Sequence, residues 1–307
     1  MFMYLPIALT SVNYLVVTGL GLAVGLLSGL FGVGGGFLMT PLLMMIGIPP
    51  TIAAATDANQ IVAASASGTL AHWRLGNVDY KMGLYLLIGG FVGGAAGVQV
   101  IKILRATGGA DFLIKMTYVV MLGVVGSFMF VESLNAMRKS KANAGASEAA
   151  PAKKSGGLLS KLPMQTVFEK SGVTHSALLP LGLGTFVGVL AAIMGVGGGF
   201  LMVPVMIYLL RMPMHVVVGT SLFQIMFTCT EVTFLQAYSN RTVDFLLALL
   251  LLIGSVFGAQ IGTILGRKLH GEQLKVLLSI IVLAVTVKII LELVMEPSLL
   301  LAYAGGH

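Results

Sequence analysis

A series of long apolar segments is the feature that most restricts the folds open to this chain of 307 residues. A helix needs about 20 apolar residues to cross the hydrocarbon core of a bilayer, and each segment is close to that length. Because 57% of the residues are hydrophobic and only 9% are charged, a water-soluble fold could not hide the apolar surface. The sequence therefore predicts an all-α integral membrane protein, with spans at 7–31, 51–71, 82–100, 116–131, 176–194, 216–237, 245–265 and 276–294.

The two halves of the chain repeat one another. The segment 32–41, GVGGGFLMTP, corresponds to the segment 195–204, GVGGGFLMVP. The correspondence continues in the same order, pairing Thr56 with Thr220, Gln60 with Gln224, Val78-Asp79 with Val243-Asp244, and Gly89 with Gly254. A collinear series of this kind indicates internal duplication.

The duplication divides the chain into three parts. We expect a first transmembrane repeat at 1–134, a flexible basic linker at 135–173 and a second transmembrane repeat at 174–307. Each repeat should contain about five helical segments, one of which is short. The short segments, 37–48 and 200–210, follow the glycine clusters and suit half-helices or re-entrant segments.

The distribution of Lys and Arg predicts the orientation in the membrane. If the linker is cytoplasmic, most basic residues of the loops also lie on the cytoplasmic side, as the positive-inside rule requires. Both termini are then extracytoplasmic, and the protein is a multi-pass protein of the cell (inner or plasma) membrane. An odd number of crossings in each half makes the halves antiparallel, and such inverted repeats are common in secondary transporters.

The glycine clusters are candidate substrate-binding elements. Glycine lets a helix break, and the half-helix that follows presents unsatisfied N–H groups and a partial positive charge to an anion. The alternative is that the glycines only allow close helix packing. The predicted binding residues are Gly34, Gly35, Gly36 and Phe37 in the first half, and Gly197, Gly198, Gly199 and Phe200 in the second.

Four neutral polar residues are expected to line the same site. Thr56 and Gln60, like Thr220 and Gln224, are four residues apart and therefore share one helix face. Hydroxyl and amide groups can bind anion oxygens without adding fixed charge. The alternative is hydrogen bonding between helices.

Three charged residues lie inside apolar segments, where charge is costly and usually functional. Asp57 and Glu231 are candidates for coupling or charge compensation, and Glu231 could carry a coupling proton. Lys288 could neutralise Glu231 or attract the anion. The alternatives are a structural ion pair, or a Lys288 side chain that extends toward an interface.

The segment 27–37 with Pro41, together with its partial copy that ends in Gly199-Phe200 and Pro204, resembles the sulfite exporter TauE/SafE family. The resemblance covers both halves and implies transport of small sulfur-containing anions. The second copy departs from the first at 191–194, AAIM, where the first copy has Ser28-Gly29-Leu30-Phe31. If Ser28 helps to bind the anion, only one half supplies that hydroxyl.

The sequence thus favours a secondary transporter that moves sulfite or an organosulfonate by alternating access. Export is the expected direction, and a buried carboxylate could couple transport to protons. The alternatives are a passive small-anion channel, a transporter of another small organic anion, and a cation exporter if Asp57 and Glu231 face one cavity without Lys288. An enzyme is not expected, because no nucleophile, base or metal-ligand constellation is recognisable. The expected partners are a small anion and the bilayer; no cofactor, metal or nucleic acid is expected.

Overall fold

The structure is a computed structural model that describes residues 2–31, 36–142, 165–168, 170–266 and 271–295. The first half contains the helices α1 (Tyr14–Phe31), α2 (Gly36–Met45), α3 (Pro50–Arg74), α4 (Tyr80–Ala106) and α5 (Ala110–Ala142). The second half contains α6 (Leu178–Met194), α7 (Gly199–Tyr208), α8 (Met214–Leu235), α9 (Phe245–Gly266) and α10 (Gly271–Met295). A π-helical turn, Gln236–Asn240, extends α8.

The predicted helical membrane fold is confirmed. Among the described residues, four helical stretches are long and apolar enough to cross a membrane, and they are Tyr80–Ala106, Ala110–Phe128, Val216–Asn240 and Phe245–Gly262. Shorter apolar helices are present at Tyr14–Leu27, Gly36–Met45 and Leu178–Met194. Each predicted apolar segment, including both short ones, overlaps one helix of the structure.

Each half begins with a β-hairpin that the sequence did not predict. In the first half β1 (Phe2–Leu5) pairs with β2 (Thr10–Asn13), so the first helix starts at Tyr14 and not within the hairpin. In the second half β3 (Gln165–Phe168) pairs with β4 (Val173–Ser176) immediately before α6.

Parts of the predicted linker at 135–173 have regular structure. The helix α5 continues to Ala142, and the second hairpin begins at Gln165. The hairpin is held in place because Phe168 is fully buried and the N–H and hydroxyl groups of Ser171 both donate to the Asp79 carboxylate. Residues 143–164, at the centre of that prediction, lie outside the described residues.

The halves are packed into each other. The fourth helix of each half packs along the first helix of the other half, so α4 contacts α6 and α9 contacts α1. Glycines make these contacts close: a Cβ at Gly89 or Gly93 would meet the backbone of α6, and one at Gly254 or Gly258 would meet the backbone of α1. The two halves therefore share one interior.

Two buried aspartates mark the two ends of the helix bundle. Asp244, between α8 and α9, accepts the N–H of Ile7 in the first hairpin, while Thr56 in the second turn of α3 accepts the N–H of Asp244. We name this end the Asp244 end. The helices α1 and α3 both begin there, so the chain enters the bundle along α1 and returns along α2. The same relation holds for α6 and α8 at the opposite end, named the Asp79 end.

Candidate functional site

The two short helices begin side by side in the interior. The Phe37 and Phe200 rings, each in the second residue of its helix, are stacked with their centroids 4.4 Å apart and their planes 16° from parallel. Both rings are almost fully buried. The first turns of α2 and α7 therefore meet at one point.

The second helix break depends on left-handed backbone at Gly195, Gly197 and Gly198, where φ is +72°, +68° and +75°. Only glycine adopts this conformation without a steric cost. Gly198 precedes the first turn of α7, and no side chain of the described residues caps that turn. Gly199 is the first residue of α7, and Gly36 is the first residue of α2. Gly34 and Gly35 lie outside the described residues.

The surroundings of the breaks are tightly filled. A Cβ at Gly197 would lie 2.6 Å from the Cys229 Sγ atom and 2.8 Å from the Ile225 side chain. A Cβ at Gly36 would overlap the Ile61 side chain, which also lies beside Gly197. Ile61 of α3 therefore lies beside both breaks, and Ile225 of α8 lies beside the second.

Thr56 and Thr220 connect the halves in a reciprocal way. The Thr56 hydroxyl accepts the backbone N–H of Asp244 at 3.2 Å, and the Thr220 hydroxyl accepts the backbone N–H of Asp79 at 3.0 Å. Both threonines are fully buried. Each hydroxyl keeps its own hydrogen, so each can still donate to another group.

Gln60 and Gln224 place buried amide groups near the middle of α3 and α8. Their Oε1 atoms are buried and have no hydrogen-bond partner among the described residues. The Gln224 Nε2 atom donates to the Thr228 hydroxyl at 2.9 Å, and both groups lie against Gly90 of α4. Unpartnered buried polar atoms are costly, and they are characteristic of sites that receive a ligand or water.

Asp57 is fully buried beside the first turn of α2. Its Oδ2 atom accepts the Thr40 hydroxyl at 2.8 Å and lies 3.6 Å from the position of a Cβ on Gly36. Its Oδ1 atom has no hydrogen-bond partner in the described part of the chain. Thr40 also lies 3.4 Å from the Met194 carbonyl oxygen, which accepts the Tyr118 hydroxyl at 2.5 Å.

The other two charged candidates, Glu231 and Lys288, lie on α8 and α10 and make different contacts from those of Asp57. The Glu231 Oε2 atom is buried against Gly94 of α4, without a hydrogen-bond partner among the described residues. Lys288, on α10, has a side chain 46% exposed and lies 4.0 Å from Glu292, one helical turn away. The structure therefore pairs Lys288 with Glu292, and not with Glu231.

Several residues with clear structural roles had no role assigned from the sequence. Asp79 and Asp244 cap the first turns of α4 and α9 through Met82 and Leu247, in addition to joining the halves. The signal for these two was present, because the Val-Asp pairs recur in both halves. Thr40 could have been found as the one internal difference between the two glycine segments, since Val203 stands at the corresponding position. No sequence signal points to Tyr118.

A bundle of apolar helices, four of them long and apolar enough to cross a membrane among the described residues, in which two short helices begin side by side in the interior, is typical of a polytopic membrane protein. Short, interrupted helices inside such a bundle are characteristic of membrane transporters. The family model described as Sulfite exporter TauE/SafE matches residues 17–289, and the chain belongs to this family of membrane transporters.

Curated relatives agree with that assignment. The "Probable membrane transporter protein YunE" of Bacillus subtilis (strain 168) is 28% identical over 288 residues, which are 91% of this chain and 98% of the relative. The "Probable membrane transporter protein YjnA" of the same strain is 29% identical over 272 residues, covering 88% and 97% of the two chains. The "Sulfite exporter TauE/SafE family protein 1" of Arabidopsis thaliana is 32% identical over 110 residues, or 36% of this chain and 24% of that protein. No solved structure matches the chain.

Proposed function

We propose that the protein is a secondary transporter that exports a small sulfur oxyanion, such as sulfite or an organosulfonate, by alternating access. The observation that carries this proposal is the meeting of the two broken helices at the stacked Phe37 and Phe200 rings. Each helix start concentrates about half a positive charge, and its first N–H groups can donate to an anion. Two starts at one point suit a compact anion with several oxygen atoms.

Neutral polar groups would complete the site. Gln60 and Gln224 are buried, with amide oxygens that lack partners, and Thr56 and Thr220 retain hydroxyl hydrogens. An amide can rotate to present its N–H₂ group, so these side chains can bind oxyanion oxygens by donation. Binding without a fixed positive charge stays weak enough for release, which a transporter requires.

Inverted repeats would supply the alternation between two states. The first half begins at the Asp244 end and the second half at the Asp79 end, as the contacts of the two hairpins indicate. If the bundle spans the bilayer, the halves then run in opposite directions. Exchange of equivalent conformations between inverted halves opens the central site first to one side and then to the other.

We further propose that the Asp79 end faces the cytoplasm. The segment between the halves is rich in Lys and Arg, which the positive-inside rule places on that side. The hairpin that follows this segment contacts Asp79, and Lys81 and Lys170 donate to carbonyl groups at the same end. The Asp244 end and the first hairpin are then extracytoplasmic.

Flux measurements in proteoliposomes test the proposal. Purified protein should move sulfite and methanesulfonate faster than protein-free liposomes do, and an imposed gradient of one anion should drive uptake of the other. The Gly198→Val variant should insert into the membrane yet lose this flux, because valine cannot adopt the local backbone. The proposed site would be contradicted if the wild-type protein transported neither anion. It would also be contradicted if the variant retained transport. Flux that never exceeds passive equilibration under any gradient would indicate a channel.

A further inference from the structure

The polar groups around the two helix breaks are not symmetric. Thr40 and Asp57 form a buried hydrogen-bonded pair in the first half. At the corresponding positions the second half has Val203 and Ser221, so it cannot form this pair. The carboxyl group is therefore a feature of one helix break only, although the glycine sequences before the two short helices are the same.

The Asp57 carboxylate lies where an anion would bind to α2. Its Oδ2 atom is beside Gly36, the first residue of α2, and the Thr40 hydroxyl donates to it one turn further along. The backbone N–H of Thr40 also faces the carboxylate. The Oδ1 atom is buried and has no partner among the described residues, so one oxygen is held and the other is free to bind a proton.

The helices around Asp57 carry few ionisable groups, and the Glu231 carboxyl of α8 lies against Gly94 of α4. The helix α3 packs against α2, α5, α6, α8 and α9, and of these α2, α6 and α9 contain no ionisable side chain. Within the described part of the chain, the Tyr118 hydroxyl of α5 and the Cys229 thiol of α8 interact electrostatically with Asp57. Phenols and thiols are ordinarily uncharged at neutral pH.

We propose that the Asp57 carboxylate acts as an internal anion on the start of α2, and that the substrate anion engages this helix start only after Asp57 has bound a proton. This inference rests on the proposed function, because it assigns the coupling step of the same site. Two negative charges a few ångströms apart in a water-poor interior repel strongly, so proton and anion must bind together. A proton is then carried in the same direction as each anion, and the anion and pH gradients jointly set the direction of net flux.

Methanesulfonate is the suitable substrate for the test, because it is a monoanion at every pH used and its own titration cannot mimic that of the protein. Uptake by wild-type proteoliposomes should fall at least about tenfold as the pH rises from about 5 to about 8. The Asp57→Asn variant should take up methanesulfonate at a rate that changes by less than about twofold over this range, and a pH gradient should no longer drive accumulation.

Two further variants keep the test decisive. Thr40→Val copies the second half and removes a donor to the charged carboxylate, so the fall in uptake should move to higher pH while Asp57 is retained. Asp111→Asn is the matched control, because its carboxyl lies at the start of α5, where it accepts the N–H of Thr51, and an amide oxygen can still accept that bond. This control should keep the wild-type pH dependence.

The outcomes separate the two proposals. If Asp57→Asn keeps the wild-type pH dependence, or if only Glu231→Gln abolishes it, the role of Asp57 is overturned while the transport function stands. If Asp57→Asn does not fold, an unchanged profile in Thr40→Val overturns it equally. If wild-type protein moves neither methanesulfonate nor sulfite at any pH, the proposed function fails, and the inference fails with it.

Discussion

The Gly198→Ala substitution tests whether the second helix break depends on glycine. Gly198 has a φ of +75°, and a Cβ there would overlap the Val187 side chain of α6. Left-handed backbone costs an alanine about 1–2 kcal/mol, and overpacking of a filled interior costs about 1–3 kcal/mol more. We therefore expect the variant to lose about 2–5 kcal/mol of unfolding free energy, together with most anion flux.

Two other glycines provide matched controls for these two costs. Gly172 also has a positive φ, +65°, but a Cβ there would have open space, so Gly172→Ala should lose only about 1–2 kcal/mol. Gly182 lies within α6 with neither constraint, so Gly182→Ala should be neutral or stabilising by about 0.5–1 kcal/mol. Unfolding by denaturant in detergent micelles would rank the three variants.

A double variant isolates the steric contribution. Val187→Ala removes the side chain that the new methyl group would meet, so its combination with Gly198→Ala should be less destabilising than the sum of the single changes. The favourable coupling should be about 0.5–3 kcal/mol. Equal stability of Gly198→Ala and Gly182→Ala would refute the reasoning, because neither the strained backbone nor the clash would then matter.

Three further predictions concern the rest of the structure. Thr56→Val should lower the unfolding free energy by about 1–3 kcal/mol because the buried Asp244 N–H loses its acceptor, and Thr56→Ser should restore it; equal stability of the valine and serine variants would contradict this. Tyr118→Phe should cost a similar amount, since the Met194 carbonyl is among the last four of α6 and the tyrosine hydroxyl lies closer to it than the Thr40 hydroxyl does. A thermal midpoint equal to that of the wild type would count against this prediction. Reporter fusions should place the segment between the halves in the cytoplasm and both termini outside, and an external reporter signal from that segment would overturn the proposed sidedness.

The helices could be predicted because a bilayer imposes a minimum apolar length and because glycine clusters interrupt that pattern visibly. The apolar pattern predicts a start of α1 that is too early, because Ile7, Ala8 and Leu9 in the first hairpin are as apolar as the helix that follows. Hairpins pair through their backbones, and apolar composition alone does not reveal them.

The contacts between the halves could not be read from the sequence. Thr56 and Asp244 are 188 residues apart, and only the packing of the two halves brings them together. The charged residues include one contact that the sequence spacing indicates and one that depends on packing between helices. Lys288 and Glu292 are four residues apart on one helix, a spacing that allows an ion pair, so their contact was predictable. That Asp57 lies beside the start of α2 depends on the tertiary fold alone.

The exchange of helices between the halves bears on how the protein is made. While the ribosome is still synthesising the second half, the glycine-lined surfaces of α4 and α1 have no counterpart, because α6 and α9 have yet to enter the membrane. The first half therefore stays incompletely packed in the bilayer until its partners are synthesised. The final packing of the bundle follows at the end of translation.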